Sequence, residues 1–129
     1  MIRISKREAE KHGLIPKTKS APRGMNKTER AYADYLERGR SLCNMDENGQ
    51  LLKFWLFEAV RLKLARGAWF KPDFMLVYDD RIEFHDVKGF MREAANVRNK
   101  VAARFFPMFK FQIVRRLKSG DWSWTPVEV

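Results

Sequence analysis

Apolar residues recur at helical spacing in two stretches of the chain. After Asn26, a residue type that caps helices, Glu29 occupies the third helical position. The apolar residues that follow at helical spacing are Tyr32, Tyr35 and Leu36. We expect this helix to end near Gly39. Residues 92–106 predict a second helix, which Pro107 stops.

The segment between these helices, and the end of the chain, alternate apolar and polar residues as β-strands do. The longest run predicts a single long strand whose inward residues are Leu52, Phe54, Leu56, Val60, Leu62 and Leu64. Residues 73–78 and 81–88 predict two strands joined at Asp79-Asp80 in a tight hairpin. Residues 109–114 predict a fourth strand, and a last, edge strand is predicted from Trp122, Trp124 and Val127. The order helix, three strands, helix, strand and edge strand indicates a mixed α/β domain with a central sheet flanked by helices.

The hairpin brings two aspartates together. Pairing outward from a two-residue loop sets Asp73 directly against Asp86, through the intervening pairs Val77 with Ile82 and Met75 with Phe84. A four-residue loop gives the same register. Lys88 lies two residues beyond Asp86 and therefore on the same face of the strand. The sequence predicts one small polar site built from Asp73, Asp86 and Lys88.

This arrangement suits metal-assisted hydrolysis of a phosphodiester. Opposed carboxylates repel each other unless a positive charge lies between them. Mg²⁺ prefers oxygen ligands and usually keeps coordination positions open for water and phosphate. Lys88 beside the metal would hold the phosphate or activate a water. The alternative interpretation is a pair of surface aspartates at strand ends, with a lysine on a solvated face.

The charge balance favours a polyanionic partner. The chain of 129 residues has 26 Lys and Arg against 16 Asp and Glu, a formal net charge of +10. Half of this excess lies in residues 1–25, which we interpret as a basic arm with a short helix opening at Ser5. Lys17 and Lys19 are its candidate phosphate-binding residues, and a solvated tail is the alternative. Cys43 is the single cysteine, which excludes an intrachain disulfide and a cysteine-based zinc site.

Pro72-Asp73, twelve intervening residues and then Asp86-Val87-Lys88 resemble the signature of the PD-(D/E)XK nuclease superfamily. The likeness runs over residues 26–116, and residues 86–90 are similar to small phage-borne members. It implies a restriction-endonuclease-like core in a domain of residues 26–129, with helix, three strands, helix and strand in that order. It also implies dependence on Mg²⁺ or Mn²⁺ and cleavage of DNA.

Two glutamates compete to complete the metal site. The superfamily adds an acidic residue from the first helix, and Glu29 occupies the matching place, although it could serve only as a capping-box carboxylate. Glu58 is the rival. It is the single charged residue on the apolar face of the predicted long strand, where a carboxylate is costly without a cation or a hydrogen-bond donor.

The second helix carries residues that could bind nucleic acid, Arg92, Arg98 and Lys100, which could equally be ordinary solvent-facing charges. Resemblance to phage nucleases suggests branched DNA, such as a Holliday junction, as the partner. A sequence-specific restriction-type nuclease and a non-catalytic nucleic-acid-binding module are the alternatives, and a homodimer is left open. No apolar leader or bilayer-length apolar run is visible, so we expect a cytoplasmic protein with no membrane partner, in the host cytoplasm if it is phage-encoded.

Overall fold

The computed structural model of the protein describes residues 2–5, 24–88 and 93–128. Within these residues, two helices and eight strands follow one another in the order β1 (Ile2–Ile4), α1 (Lys27–Ser41), β2 (Phe54–Phe57), β3 (Val60–Ala65), β4 (Ala68–Phe70), β5 (Phe74–Val77), β6 (Ile82–Val87), α2 (Glu93–Phe105), β7 (Lys110–Arg116) and β8 (Trp122–Pro126). Five strands form a sheet in the order β2-β5-β6-β7-β8, in which only β6 and β7 pair in parallel. A second, antiparallel sheet has the order β1-β3-β4. The predicted α/β class with a mixed central sheet is confirmed.

The large sheet buries both of its faces. On one face, α1 contributes Tyr32 and Leu36 to a core that also contains Phe74 and Val114. On the other face, α2 and the small sheet pack over a second core, which includes Leu62, Phe70, Phe84, Ala102 and Phe111. The hairpin of β5 and β6 is therefore covered on both sides by apolar side chains. Within the described residues, neither helix is long and apolar enough to cross a bilayer.

Helix α1 begins where the sequence predicts. Asn26 Oδ1 accepts a hydrogen bond from the backbone N–H of Glu29 at 2.8 Å, and Glu29 Oε1 accepts one from the backbone N–H of Asn26 at 3.0 Å. This capping box satisfies two donors that a helix start otherwise leaves without partners. The helix runs two residues past the predicted end at Gly39, because a glycine weakens a helix by only about 1 kcal/mol and does not by itself stop it.

The β5–β6 hairpin has the predicted register. Val77 pairs with Ile82 and Met75 pairs with Phe84. The backbone N–H of Tyr78 donates to the carbonyl of Arg81 at 2.9 Å, which closes a two-residue turn at Asp79-Asp80. Continuing the register one step beyond Phe74 and His85, the last paired residues, sets Asp73 opposite Asp86.

The prediction of a single long strand is wrong. Strand β2 ends at Phe57, and β3 begins at Val60 in the other sheet. Between them Glu58 adopts a left-handed backbone with φ of 49°, which redirects the chain. Phe54, predicted to face the core, is 45% exposed, whereas Phe57 is buried. The sequence analysis also missed β4, which follows β3 after a turn at Gly67.

The first residues of the predicted arm belong to a sheet. Ile2–Ile4 pairs with β3, from Ile2 opposite Leu62 to Ile4 opposite Val60. The backbone N–H of Ser5 donates to the carbonyl of Ala59. Lys17, Lys19 and the helix predicted after Ser5 lie outside the described residues, as does Arg92 ahead of α2. The predicted arm therefore begins with a strand, and its binding role stays a prediction.

Candidate active site

Asp73 and Asp86 lie at the open end of the β5–β6 hairpin. Pro72 and Asp73 connect β4 to β5, and Asp86 is the fifth residue of β6, where it is only 4% exposed. Asp73 Oδ2 accepts a hydrogen bond from the backbone N–H of Val87 at 2.9 Å. The carbonyl of Asp73 accepts from the N–H of Glu58 at 2.8 Å, which ties the strand crossover to the same point.

The two carboxyl groups are electrostatically strained. Burial, followed by repulsion from Asp86, raises the pKa of Asp73 from 3.8 to about 8. The hydrogen bond from Val87 and the positive charge of Lys88 act in the opposite direction, but they are outweighed. Burial and the neighbouring negative charge therefore favour the protonated form of Asp73. A divalent cation is the natural replacement for that proton, since it supplies more positive charge to the same oxygens.

Asp86 is held from two sides. Lys88 Nζ lies 3.3 Å from Asp86 Oδ2, and Asn99 Nδ2 on α2 donates a hydrogen bond to the same oxygen at 3.0 Å. The backbone N–H of Lys88 donates to the carbonyl of Val114 at 2.9 Å, so the lysine is fixed to β7 as well. Asn99 is 2% exposed and was not among the predicted site residues, because a lone helical asparagine carries no recognisable motif.

Both competing glutamates reach the site. Glu29, Glu58 and Asp73 each offer a carboxylate oxygen, and these oxygens lie within 4.8 Å of one another. Glu29 and Glu58 are only 3% and 8% exposed. Buried carboxylates at such distances are costly without a cation, so their chemistry fits a hard divalent metal ion. The capping role of Glu29 is present too, since its Oε1 accepts from Asn26, and the two roles coexist.

A cavity of about 320 Å³ opens onto Asp73 and Asp86. Its walls carry four cationic side chains, a tryptophan, a phenylalanine and two of the acidic residues: Arg61, Lys71, Lys88, Arg98, Trp69, Phe70, Asp73 and Asp86. A larger cavity of about 590 Å³ between α1 and β8 is lined by Tyr35, Trp122 and Trp124, with none of the predicted catalytic residues. The smaller cavity is therefore the candidate active site, because it is lined by predicted catalytic residues and the larger one is not.

The structure separates the predicted basic residues. Arg98 lines the cavity, whereas Lys100 is exposed on α2 and does not line it. Arg61 and Lys71 were not predicted as site residues, since their place at the cavity follows from the small sheet, which the sequence analysis missed. Lys71 Nζ lies 3.4 Å from Glu58 Oε2, so one of these cations partly neutralises the acidic cluster.

His85 faces away from the cavity, as its position on β6 predicts. Its Nδ1 lies 2.6 Å from the hydroxyl of Tyr32, and its Nε2 lies 2.9 Å from Glu83 Oε1. Burial lowers the pKa of His85, although Glu83 acts against this. The histidine thus links β6 to α1 beneath the site and is not placed to exchange protons with a substrate in the cavity.

Comparisons of the chain with protein-family models, with curated proteins and with solved structures found no match. The likeness of Pro72-Asp73 and Asp86-Val87-Lys88 to the PD-(D/E)XK signature therefore stays a prediction drawn from the sequence. Independent support for a function has to come from the arrangement of the carboxylates, the lysine and the cavity walls.

Proposed function

We propose that the protein is a Mg²⁺-dependent nuclease that hydrolyses phosphodiester bonds in DNA. The observation that carries this proposal is the meeting of Asp73 and Asp86 beside Lys88 in a cavity that three further cationic side chains line. Carboxylates that hold a metal, next to groups that attract a phosphate, are the parts this reaction needs. The raised pKa of Asp73 adds support, because carboxyl groups whose pKa is strongly shifted cluster at functional sites.

The proposed metal ligands are the oxygens of Glu29, Glu58 and Asp73, with Asp86 beside them. Three mutually close carboxylates match the preference of Mg²⁺ and Mn²⁺ for hard oxygen donors. The side chains come from three separate parts of the fold, namely α1, the β2–β3 crossover and the start of β5. Folding therefore brings these carboxylates together, and a divalent cation held by them would offset their repulsion.

A bound Mg²⁺ supplies the Lewis acidity that polarises the phosphoryl oxygen and makes a water acidic enough to attack. Lys88 contributes a positive charge at the reacting phosphate, where it stabilises the charge that develops on the oxygens. Asp86 keeps the ammonium of Lys88 in place, and Asn99 keeps Asp86 in place. Phe70 contributes apolar surface to the cavity wall.

A more specific proposal, for the fold family and for the DNA substrate, rests on the sequence resemblance. We propose a restriction-endonuclease-like core for residues 26–129 and branched DNA, such as a junction formed in recombination or replication, as the substrate. A cytoplasmic location and a possible second copy in a homodimer belong to the same proposal. The formal charge of +10 supports a polyanionic partner, although it does not distinguish between DNA structures.

The test is a cleavage assay on linear duplex, single-stranded, flap and four-way-junction DNA, with Mg²⁺, with Mn²⁺ and with EDTA. We expect cleavage only with metal, and none by Asp86→Asn. The matched control is Asp121→Asn, which changes an exposed aspartate in the β7–β8 turn and should leave activity intact. Failure to cut any substrate with metal, or equal cutting by Asp86→Asn, would refute the proposal.

A further inference from the structure

The outer face of the small sheet is basic. On β3 the inward Val60 and Leu62 alternate with the exposed Arg61 and Lys63. Trp69 on β4 pairs with Lys63 across the sheet. The guanidinium carbon of Arg61 lies 4.9 Å from the centre of the Trp69 ring, and Lys63 Nζ lies 5.9 Å from it. We call Arg61, Lys63 and Trp69 the basic face.

The basic face leads into the candidate active site. Arg61 and Trp69 line the same cavity as Asp73 and Lys88. Arg98 lines that cavity too, from α2, on a different element of the fold. Cationic side chains therefore continue from the small sheet to the edge of the candidate active site. An extended anion, such as a nucleic acid strand, could bind along them.

The cations around the cavity fall into two groups. Lys71 and Lys88 are each within 3.4 Å of a carboxylate oxygen, from Glu58 and Asp86 respectively. Arg61, Lys63 and Arg98, by contrast, form no ion pair with any carboxylate that the structure describes. Two unneutralised cations over one tryptophan repel each other, and this repulsion is relieved when an anion binds between or beside them.

We propose that the basic face and Arg98 bind backbone phosphates of duplex DNA on one side of the bond that is cut. This inference rests on the proposed nuclease function and extends it to the substrate-binding surface. Guanidinium groups match phosphate oxygens in geometry and in charge. The Trp69 ring already carries Arg61, so the surface is suited to phosphates rather than to stacked bases. Binding through it is therefore independent of base sequence.

The test is a titration of fluorescently labelled linear duplex DNA with the full chain in EDTA, where no cleavage occurs, over a series of salt concentrations. The double variant Arg61→Ala/Lys63→Ala should bind about tenfold more weakly at low salt, and the slope of log affinity against log salt should fall by about 0.9 for each phosphate that the protein no longer neutralises. Arg98→Ala should lower the slope in the same way. Changing the sequence of the duplex should leave these effects unaltered.

Two controls keep the result interpretable. Lys53→Ala/Lys118→Ala removes the same charge from exposed positions that do not line the cavity, and it should change the slope much less. Arg61→Lys keeps the charge over Trp69 and should keep the slope, which separates the effect of charge from the effect of packing. Thermal unfolding of each variant identifies any that fails to fold. If the double variant fails, Lys63→Ala, which leaves Arg61 over Trp69, carries the test together with Arg98→Ala.

The outcomes separate this inference from the nuclease proposal. Suppose that the chain cuts DNA with Mg²⁺ but Arg61→Ala/Lys63→Ala and Arg98→Ala bind like the charge-matched control. The proposed DNA-binding role of the basic face and Arg98 is then refuted, and the proposed nuclease function is supported. If these variants lose affinity and slope but the unaltered chain cuts nothing, the surface stands as a DNA-binding one and the nuclease proposal fails.

Discussion

The backbone N–H of Val87 donates a 2.9 Å hydrogen bond to Asp73 Oδ2, so the end of β6 holds the carboxyl group at the start of β5. The bond stabilises the charged form of Asp73, yet burial and the neighbouring Asp86 still raise the pKa of Asp73 to about 8. A carboxyl group that keeps its proton in the folded state, but loses it on unfolding, makes stability depend on pH.

We therefore expect the metal-free protein to become less stable as the pH rises. Below the ordinary pKa of 3.8 both states bind the proton, and between 3.8 and about 8 only the folded state binds it. The free energy of unfolding should fall across this window. Urea denaturation in EDTA at several pH values measures it, with Asp73→Asn as the comparison because the amide does not titrate. Parallel curves for the two proteins would show that Asp73 has no raised pKa.

Lys88 should act on the chemical step rather than on binding. Its ammonium lies 3.3 Å from Asp86, at the cavity, where it meets the charge that develops on the phosphate. We expect Lys88→Ala to lower the single-turnover cleavage rate at saturating enzyme by a factor of about 10² to 10³, with affinity for DNA nearly unchanged. Lys100→Ala, on the exposed side of α2, is the control and should keep the rate. An unchanged rate in Lys88→Ala would remove this residue from the mechanism.

Asn99 should affect both stability and metal dependence, because it positions the carboxylate of Asp86. Replacing it with Ala leaves Asp86 Oδ2 without the 3.0 Å hydrogen bond inside the protein, which should lower stability by about 1–3 kcal/mol. A positioning role also predicts a higher Mg²⁺ concentration for half-maximal cleavage, which a loss of stability alone does not cause. Asn99→Asp should instead lower this concentration, because it adds a carboxylate beside Asp86 and a divalent cation relieves the added repulsion. If metal dependence stays the same in both variants, Asn99 only supports the fold.

Local sequence signals predicted the hairpin and α1, because both are set by neighbouring residues. The two-residue turn at Asp79-Asp80 fixes the register, and the register brings Asp73 opposite Asp86. The long strand failed for the opposite reason. Apolar residues continue on both sides of Glu58, so nothing local shows that the chain leaves one sheet for another. Arg61 could not be placed at the cavity until that crossover was known.

Glu58 should combine a cost in stability with a gain in metal binding. A non-glycine residue with φ of 49° is strained by about 1 kcal/mol or more, a cost that glycine avoids. We expect Glu58→Gly to equal or exceed the unaltered protein in stability in EDTA while needing more Mg²⁺ for cleavage. Glu58→Gln keeps the strain and should lose the metal affinity alone. Titrations of activity against Mg²⁺, with urea denaturation, separate the two effects, and unchanged metal dependence in both variants would exclude Glu58 as a ligand.

The predicted basic arm calls for a test that leaves β1 intact. Deleting residues 1–25 would remove Ile2–Ile4 from its pairing with β3, the strand that carries Arg61, so any weakening of DNA binding would have two causes. Lys17→Ala/Lys19→Ala removes charge without touching that strand. If these lysines bind phosphates, the salt slope of duplex binding should fall by about 0.9 for each phosphate that is no longer neutralised, with the rate of cleavage of bound DNA unchanged. A slope equal to that of the unaltered chain would show that Lys17 and Lys19 bind no phosphates.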